Sequence, residues 1–139
     1  MSRLQHFLVG KSIAEALLVA ALAVGFYLTA FPPYFRGALD AADANRVAGW
    51  AADAGAPGQR VETQLYIDGR FVADTTANLA RPDVREAGRA PDESCGFEFH
   101  GPFVLEAGAH EARVYAVHAS GGGARKTLQL IGKPLTFAK

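Results

Sequence analysis

From Ile13 to Tyr34 the chain is apolar apart from Glu15, and after Glu15 no charged residue appears until Arg36. A run of this kind constrains folding more than anything else in the sequence. Its side chains need apolar surroundings, and in lipid only a helix satisfies every backbone N–H and C=O from within one segment. About 20 helical residues span the roughly 30 Å hydrocarbon core of a bilayer. A cleaved signal carries a shorter apolar stretch and a small-x-small exit site, whereas the best candidate here, Leu28-Thr29-Ala30, begins with a large residue. We therefore expect residues 1–34 to hold the amino terminus and one retained transmembrane helix, with residues 35–139 forming a separate domain.

Flanking charges set the expected direction. Arg3, Lys11 and the amino terminus precede the helix, while Arg36 is followed closely by Asp40 and Asp43. Basic residues accumulate on cytoplasmic flanks, so the N-terminus is expected inside and the domain outside. Lys11 and Glu15, four apart, can pair near the inner interface. Pro32-Pro33 should stop the helix, and Phe31, Tyr34 and Phe35 suit the outer aromatic belt. Ala14, Ala21, Gly25 and Thr29 fall on one stripe at steps of seven, four and four. Small residues so spaced let helices approach closely in lipid, which makes this stripe the expected packing interface with other transmembrane subunits.

The remaining 105 or so residues suffice for one domain with a real core. The chain has 14 Lys and Arg against 14 Asp and Glu; Arg3, Lys11 and Glu15 lie in the first 34 residues, leaving 12 against 13. That balance argues against a nucleic-acid partner, which needs a basic face. Cys95 stands alone, so no disulfide can form within the chain.

Beyond Arg36 the hydrophobic period is two. Val61, Thr63, Leu65 and Ile67 alternate with polar or half-polar residues, the mark of a half-buried strand. Asp68-Gly69 then precedes Phe71-Val72-Ala73, a strong hairpin signal. Phe97 and Phe99 alternate with Glu98 and His100; Ala112, Val114 and Ala116 alternate with Arg113, Tyr115 and Val117; Leu128 and Leu130 close the series. Pro82 to Gly88 suits a single helical turn. About seven short strands separated by Gly and Pro turns predict a mainly β fold: an antiparallel, immunoglobulin-like β-sandwich behind one N-terminal transmembrane α-helix.

Gly37-Ala38-Leu39-Asp40, Val47-Ala48-Gly49-Trp50-Ala51, Leu65-Tyr66-Ile67-Asp68-Gly69, Arg81-Pro82-Asp83-Val84, Cys95-Gly96-Phe97-Glu98-Phe99 and Gly108-Ala109-His110 follow one another along the domain. In that succession the domain resembles a small β-sandwich accessory module appended to many bacterial glycosyltransferases and other cell-surface proteins. The resemblance implies a non-catalytic domain, and with the charge bias it implies a bacterial inner-membrane location with a periplasmic sandwich. We expect no transferase domain beside the module within these 139 residues.

Trp50, between Gly49 and Ala51, is expected in the core between two sheets. Arg81, Asp83, Arg85 and Glu86 read as a charged loop tied down by an Arg–Asp pair. His100, His110 and His118 lack the tight spacing of metal ligands, and no nucleophile elbow, phosphate loop or dinucleotide fingerprint is present. We expect no enzyme activity, cofactor or metal. The expected role is an accessory subunit of a larger inner-membrane complex, respiratory or photosynthetic complexes being examples of a host. The alternative is a glycan- or peptide-binding module, whose ligand face would carry Tyr66 and Tyr115.

Overall fold

The structure, a computed structural model, describes residues 2–30 and 35–139, with the side chains of 29 and 30 outside the description. The chain divides after residue 33 into two compact units, which are taken separately below. Pro32-Pro33, Phe31 and Tyr34 lie outside the described residues.

Helix α1 covers Arg3–Ala30, 28 residues. At 1.5 Å per residue this is about 42 Å. Its start is capped by a reciprocal pair: the Gln5 N–H donates to Ser2 Oγ at 3.3 Å, and the Ser2 N–H donates to Gln5 Oε1 at 2.7 Å. Such a box satisfies two otherwise orphaned donors. Lys11 Nζ reaches Glu15 Oε1 at 3.5 Å, as the spacing predicts. Apolar residues occur on all sides of α1, and Leu4, Leu17, Leu22 and Phe26 are each about two-thirds exposed. The helix is long and apolar enough to cross a membrane. None of the described residues of its own unit covers it.

The second unit contains nine strands among the described residues: β1 Phe35–Ala42, β2 Arg46–Asp53, β3 Val61–Ile67, β4 Arg70–Ala77, β5 Leu79–Ala80, β6 Ser94–His100, β7 Ala109–Ser120, β8 Arg125–Leu130 and β9 Leu135–Ala138. A short helix, α2, occupies Pro82–Glu86. All pairings are antiparallel. One sheet runs β1-β2-β6-β5 and the other β4-β3-β7-β8, with β9 also on β7. These are the A-B-E-D and C′-C-F-G orders of an immunoglobulin-like sandwich, so the expected fold class is the observed one.

Sequence alternation and burial agree closely in β3, where Val61, Thr63, Leu65 and Ile67 are buried and the residues between them are half-exposed. Val61, Leu65 and Ile67 join Leu39, Val47, Phe97, Phe99, Phe103, Val114 and Ile131 in the core between the sheets. Strand β7 is 12 residues long and serves two short partners in turn, β9 along Ala109–Ala112 and β8 along Tyr115–Ser120. The Gly132-Lys133-Pro134 break therefore divides one edge into two strands, which is why the periodicity predicts fewer strands than are present. Gln129 couples the sheets: its Oε1 accepts the Phe35 N–H at 3.1 Å and its Nε2 donates to the Phe35 carbonyl at 2.8 Å.

Two placements differ from expectation. Phe35 is 9% exposed and belongs to the sandwich core, not to an interfacial belt. It opens β1, so the pleat turns its ring inward. Trp50 is buried, but not between the sheets. In β2 Val47 and Ala51 face the main core, and Trp50, on the opposite face, joins Ala52, Val84, Ala90 and Cys95 in a second cluster. Helix α2 and the chain after it cover this outer face, so β2 is buried on both sides.

Some of the residues behind the resemblance, Ala38, Trp50, Val84 and Cys95, meet in that second cluster, and Arg81, Asp83 and Asp40 tie down its cover. Arg81 donates from Nε and Nη2 to the Asp83 carboxylate at 2.9 and 2.7 Å, and from Nη1 to Asp40 at 2.6 Å. A methyl group on Gly96 would meet Arg81 Cγ at 2.8 Å, so only glycine lets the Arg81 stem cross β6 here. The guanidinium is pinned as a cation, and Arg81 in turn holds the Asp83 carboxyl below its ordinary range. This is the structural use expected for the charged loop. Arg85 adds a longer contact to Glu93 at 3.7 Å.

Candidate functional site

Outside the two cores, chemistry-bearing side chains gather in two places on the sandwich. The first is a groove of about 730 Å³ between β4 and the connection from β6 to β7. That volume lies within the range of ligand-binding clefts. Phe71 and Val72 on β4 and Val104 and Leu105 on the connection line it, with the polar side chains of Arg70, His100 and Glu106. Val104 is fully exposed. Within the sandwich the groove lies where β1 ends and β2 begins, since Arg46 pairs with His100; Phe35, where the chain enters, pairs with Asp53 at the other end.

His110 holds one corner of this groove. The Asp68-Gly69 turn joins β3 to β4 with φ of 51° and 76°, the positive values that a two-residue hairpin of this type requires. Asp68 is thereby turned toward β7: Oδ1 accepts the Glu111 N–H at 2.9 Å, and Oδ2 lies 2.6 Å from His110 Nδ1. His110 Nε2 lies 2.9 Å from the Glu106 carbonyl oxygen. A carboxylate and a carbonyl can only accept, so the two contacts are both hydrogen bonds only when the ring carries two protons. The Asp68 partner first, then the Glu106 carbonyl, raises the His110 pKa above its ordinary 6.5; partial desolvation and Lys139 oppose them. The same contact, seconded by the Glu111 N–H, lowers the pKa of Asp68.

The second place is the outer face of the β4-β3-β7-β8 sheet. Tyr66 and Tyr115, singled out from the sequence, are brought together with ring centroids 5.2 Å apart at 79°. Phe71 adds a third ring, 5.7 Å from Tyr66 at 75°. Leu130 lies opposite Tyr115 and Leu128 opposite Val117, both leucines well exposed. Sequence reasoning missed Phe71, Leu128 and Leu130 as members of this face. Counting outward from the Asp-Gly turn would have placed Phe71 beside Tyr66, because that turn fixes the register. Edge-to-face rings suit an apolar contact. They do not offer the coplanar surface on which a sugar stacks.

The other candidates fall apart spatially. Among the described residues no group of three His, Cys, Asp or Glu side chains is placed to hold a metal ion. His118 lies with its ring 6.3 Å from Phe35, and His100 sits beside Glu98 at 3.6 Å. Cys95 is buried, and desolvation raises its thiol pKa, which makes it a poor nucleophile. On α1, Ala14, Ala21 and Gly25 are exposed; the Thr29 side chain lies outside the description. Comparison with protein-family models, curated proteins and solved structures finds no match to this chain.

Proposed function

We propose that this chain is a non-catalytic, single-pass membrane protein serving as an accessory subunit of a larger inner-membrane complex. In this reading α1 crosses the bilayer with its N-terminus in the cytoplasm, and the sandwich stands in the periplasm. The observation that carries it is the band formed by exposed Phe71, Leu130 and Leu128 with the half-buried rings of Tyr66 and Tyr115, an apolar strip on a sheet face. Contiguous apolar surface of this kind, with aromatic residues at its centre, is what protein interfaces bury. The partner is the outer domain of another transmembrane subunit, and Ala14, Ala21, Gly25 and Thr29 form the companion contact in lipid. The likeness to the glycosyltransferase-associated module supports the non-catalytic part of this proposal. A respiratory or photosynthetic complex remains an example of a host.

Two substitutions test the two contacts. Added carbon at Gly25 meets nothing within 4 Å in the isolated chain, so Gly25→Leu should leave the protein folded and membrane-bound. It should nonetheless lower recovery of the assembly roughly tenfold, a helix-packing loss of about 1.4 kcal/mol. An intact complex in that variant removes the helix interface. Tyr66→Ala with Tyr115→Ala should cost about 1 kcal/mol of stability while weakening partner binding by about 2 kcal/mol or more, read by thermal melting and by pull-down.

A second reading, a peptide- or glycan-binding module, draws on the groove beside β4, an edge strand with apolar side chains on both walls. It favours an extended peptide over a glycan, given the edge-to-face rings. If the same double substitution abolished retention on a glycan or peptide column and left the partner pull-down unchanged, this second reading would replace the first.

A further inference from the structure

We propose that the segment from Val104 to Ala107 is a pH-sensitive strap on the groove: the doubly protonated His110 ring ties it to the β3–β4 hairpin, and loss of one proton loosens it. The geometry leaves little choice. Asp68 and the Glu106 carbonyl both accept only, so the two bonds at 2.6 and 2.9 Å exist together only in the cation. A neutral ring keeps one proton. The carboxylate, being charged, holds it more strongly. Nε2 then turns a lone pair on the Glu106 carbonyl oxygen at the same distance, and attraction becomes repulsion.

The strap's other ties lie on either side of Glu106. The Phe103 N–H donates to the Ala44 carbonyl at 3.0 Å, Lys139 Nζ donates to the Leu105 carbonyl at 2.6 Å, and Gly108 exchanges two backbone bonds with Lys139. Phe103 is buried, Val104 is fully exposed, and Leu105 and Glu106 line the groove. Losing the Glu106 bond therefore frees a short stretch between fixed ends and widens the groove, without unfolding the sandwich.

Every element packed against the ring contributes a charged, polar or aromatic group. The hairpin presents Asp68, with Arg70 acting on that carboxylate; the strap presents the Glu106 carbonyl; the C-terminus presents Lys139. From β9 comes the Phe137 ring, 5.7 Å away. The neighbouring Glu111 carboxylate is engaged elsewhere, by Arg113 at 2.6 Å. Because the folded-state pKa of His110 is raised, its stabilisation is fully present below the unfolded value, about 6.5, and is lost as pH rises through the folded value. Because that of Asp68 is lowered, its contribution is present above 3.8 and is lost as pH falls through the folded value. The strap is thus held from mildly acid pH up to the raised pKa of His110 and loosens above it.

The test uses the full chain in detergent micelles. The His ring protons are followed by NMR from pH 5 to 9, and backbone 15N order parameters of residues 104–108 are measured over the same range. His110 should titrate above 6.5, with the order parameters of Glu106 and Ala107 falling through the same step. His110→Gln should remove the step. Ordinary titration of His110, or strap order parameters that stay constant through its titration, overturns the proposal. If His110→Gln fails to fold, Asp68→Asn replaces it. The His110 titration and the step in strap order should then move down together, and a step that stays in place overturns the proposal equally.

Discussion

Replacing Trp50 with alanine should destabilise the sandwich by about 3–5 kcal/mol and expose Cys95 to thiol reagents. Trp50 is 5% exposed and is the largest member of the cluster that joins Ala52, Val84, Ala90 and Cys95 on the outer face of β2. The cover over this face is thin: α2 has five residues, of which only Val84 is buried. It is held by the Arg81 ion pairs to Asp40 and Asp83. Without the indole, those pairs would clamp a cover with nothing beneath it, and the site cannot collapse because β2 is fixed by β1 and β6. The melting temperature should fall by more than about 10 °C. Cys95, 3% exposed and with its thiol pKa raised by desolvation, should be nearly unreactive in the wild type and react readily in the variant. Equal thiol reactivity in the two proteins would mean that Trp50 does not seal this face.

The second large effect concerns α1. Leu18→Arg with Leu22→Arg places two cations four residues apart near the middle of the helix, at positions 60% and 65% exposed. Each charge at the centre of a membrane span costs about 3 kcal/mol on insertion scales. The double variant should leave the alkali-resistant membrane fraction, while its sandwich, a separate compact unit, keeps the wild-type melting temperature. Undiminished membrane retention of the variant would show that α1 is not a span.

The sandwich was legible in the sequence because its central strands are one-sided. In β3 and β7 the core-facing residues are buried and mostly apolar while those between them, such as Glu62, Gln64, Arg113 and Tyr115, are more exposed, so a period of two predicts both the strands and much of the buried set. Strand β2 gives no such signal, because both of its faces are buried. That is also why Trp50 is predicted between the sheets and found outside them. A strand covered by a five-residue helix reads like any apolar run, and which core a residue joins depends on contacts some 35–45 residues apart in sequence, such as Trp50 with Val84 and Cys95. Tyr66 and Tyr115 could be chosen as an outward-facing pair from alternation alone. Their contact, and the addition of Phe71, needed the β3–β7 pairing and the hairpin register. The His110 site was not legible as such. In the sequence Asp68 reads as a turn residue and His110 as a histidine without metal-ligand spacing, and their meeting depends on a side chain that leaves an αL turn toward a strand more than 40 positions later.

The accessory-subunit proposal stands or falls on whether this protein has a stoichiometric partner. The most direct measurement is extraction of the native protein from its membrane in mild detergent, followed by size separation and mass spectrometry of what travels with it. The proposal predicts a defined set of transmembrane subunits in fixed ratio to this chain, lost together on Gly25→Leu. Recovery of the native chain as a lone monomer, with its helix and its Tyr66–Tyr115 face unpartnered, would contradict it.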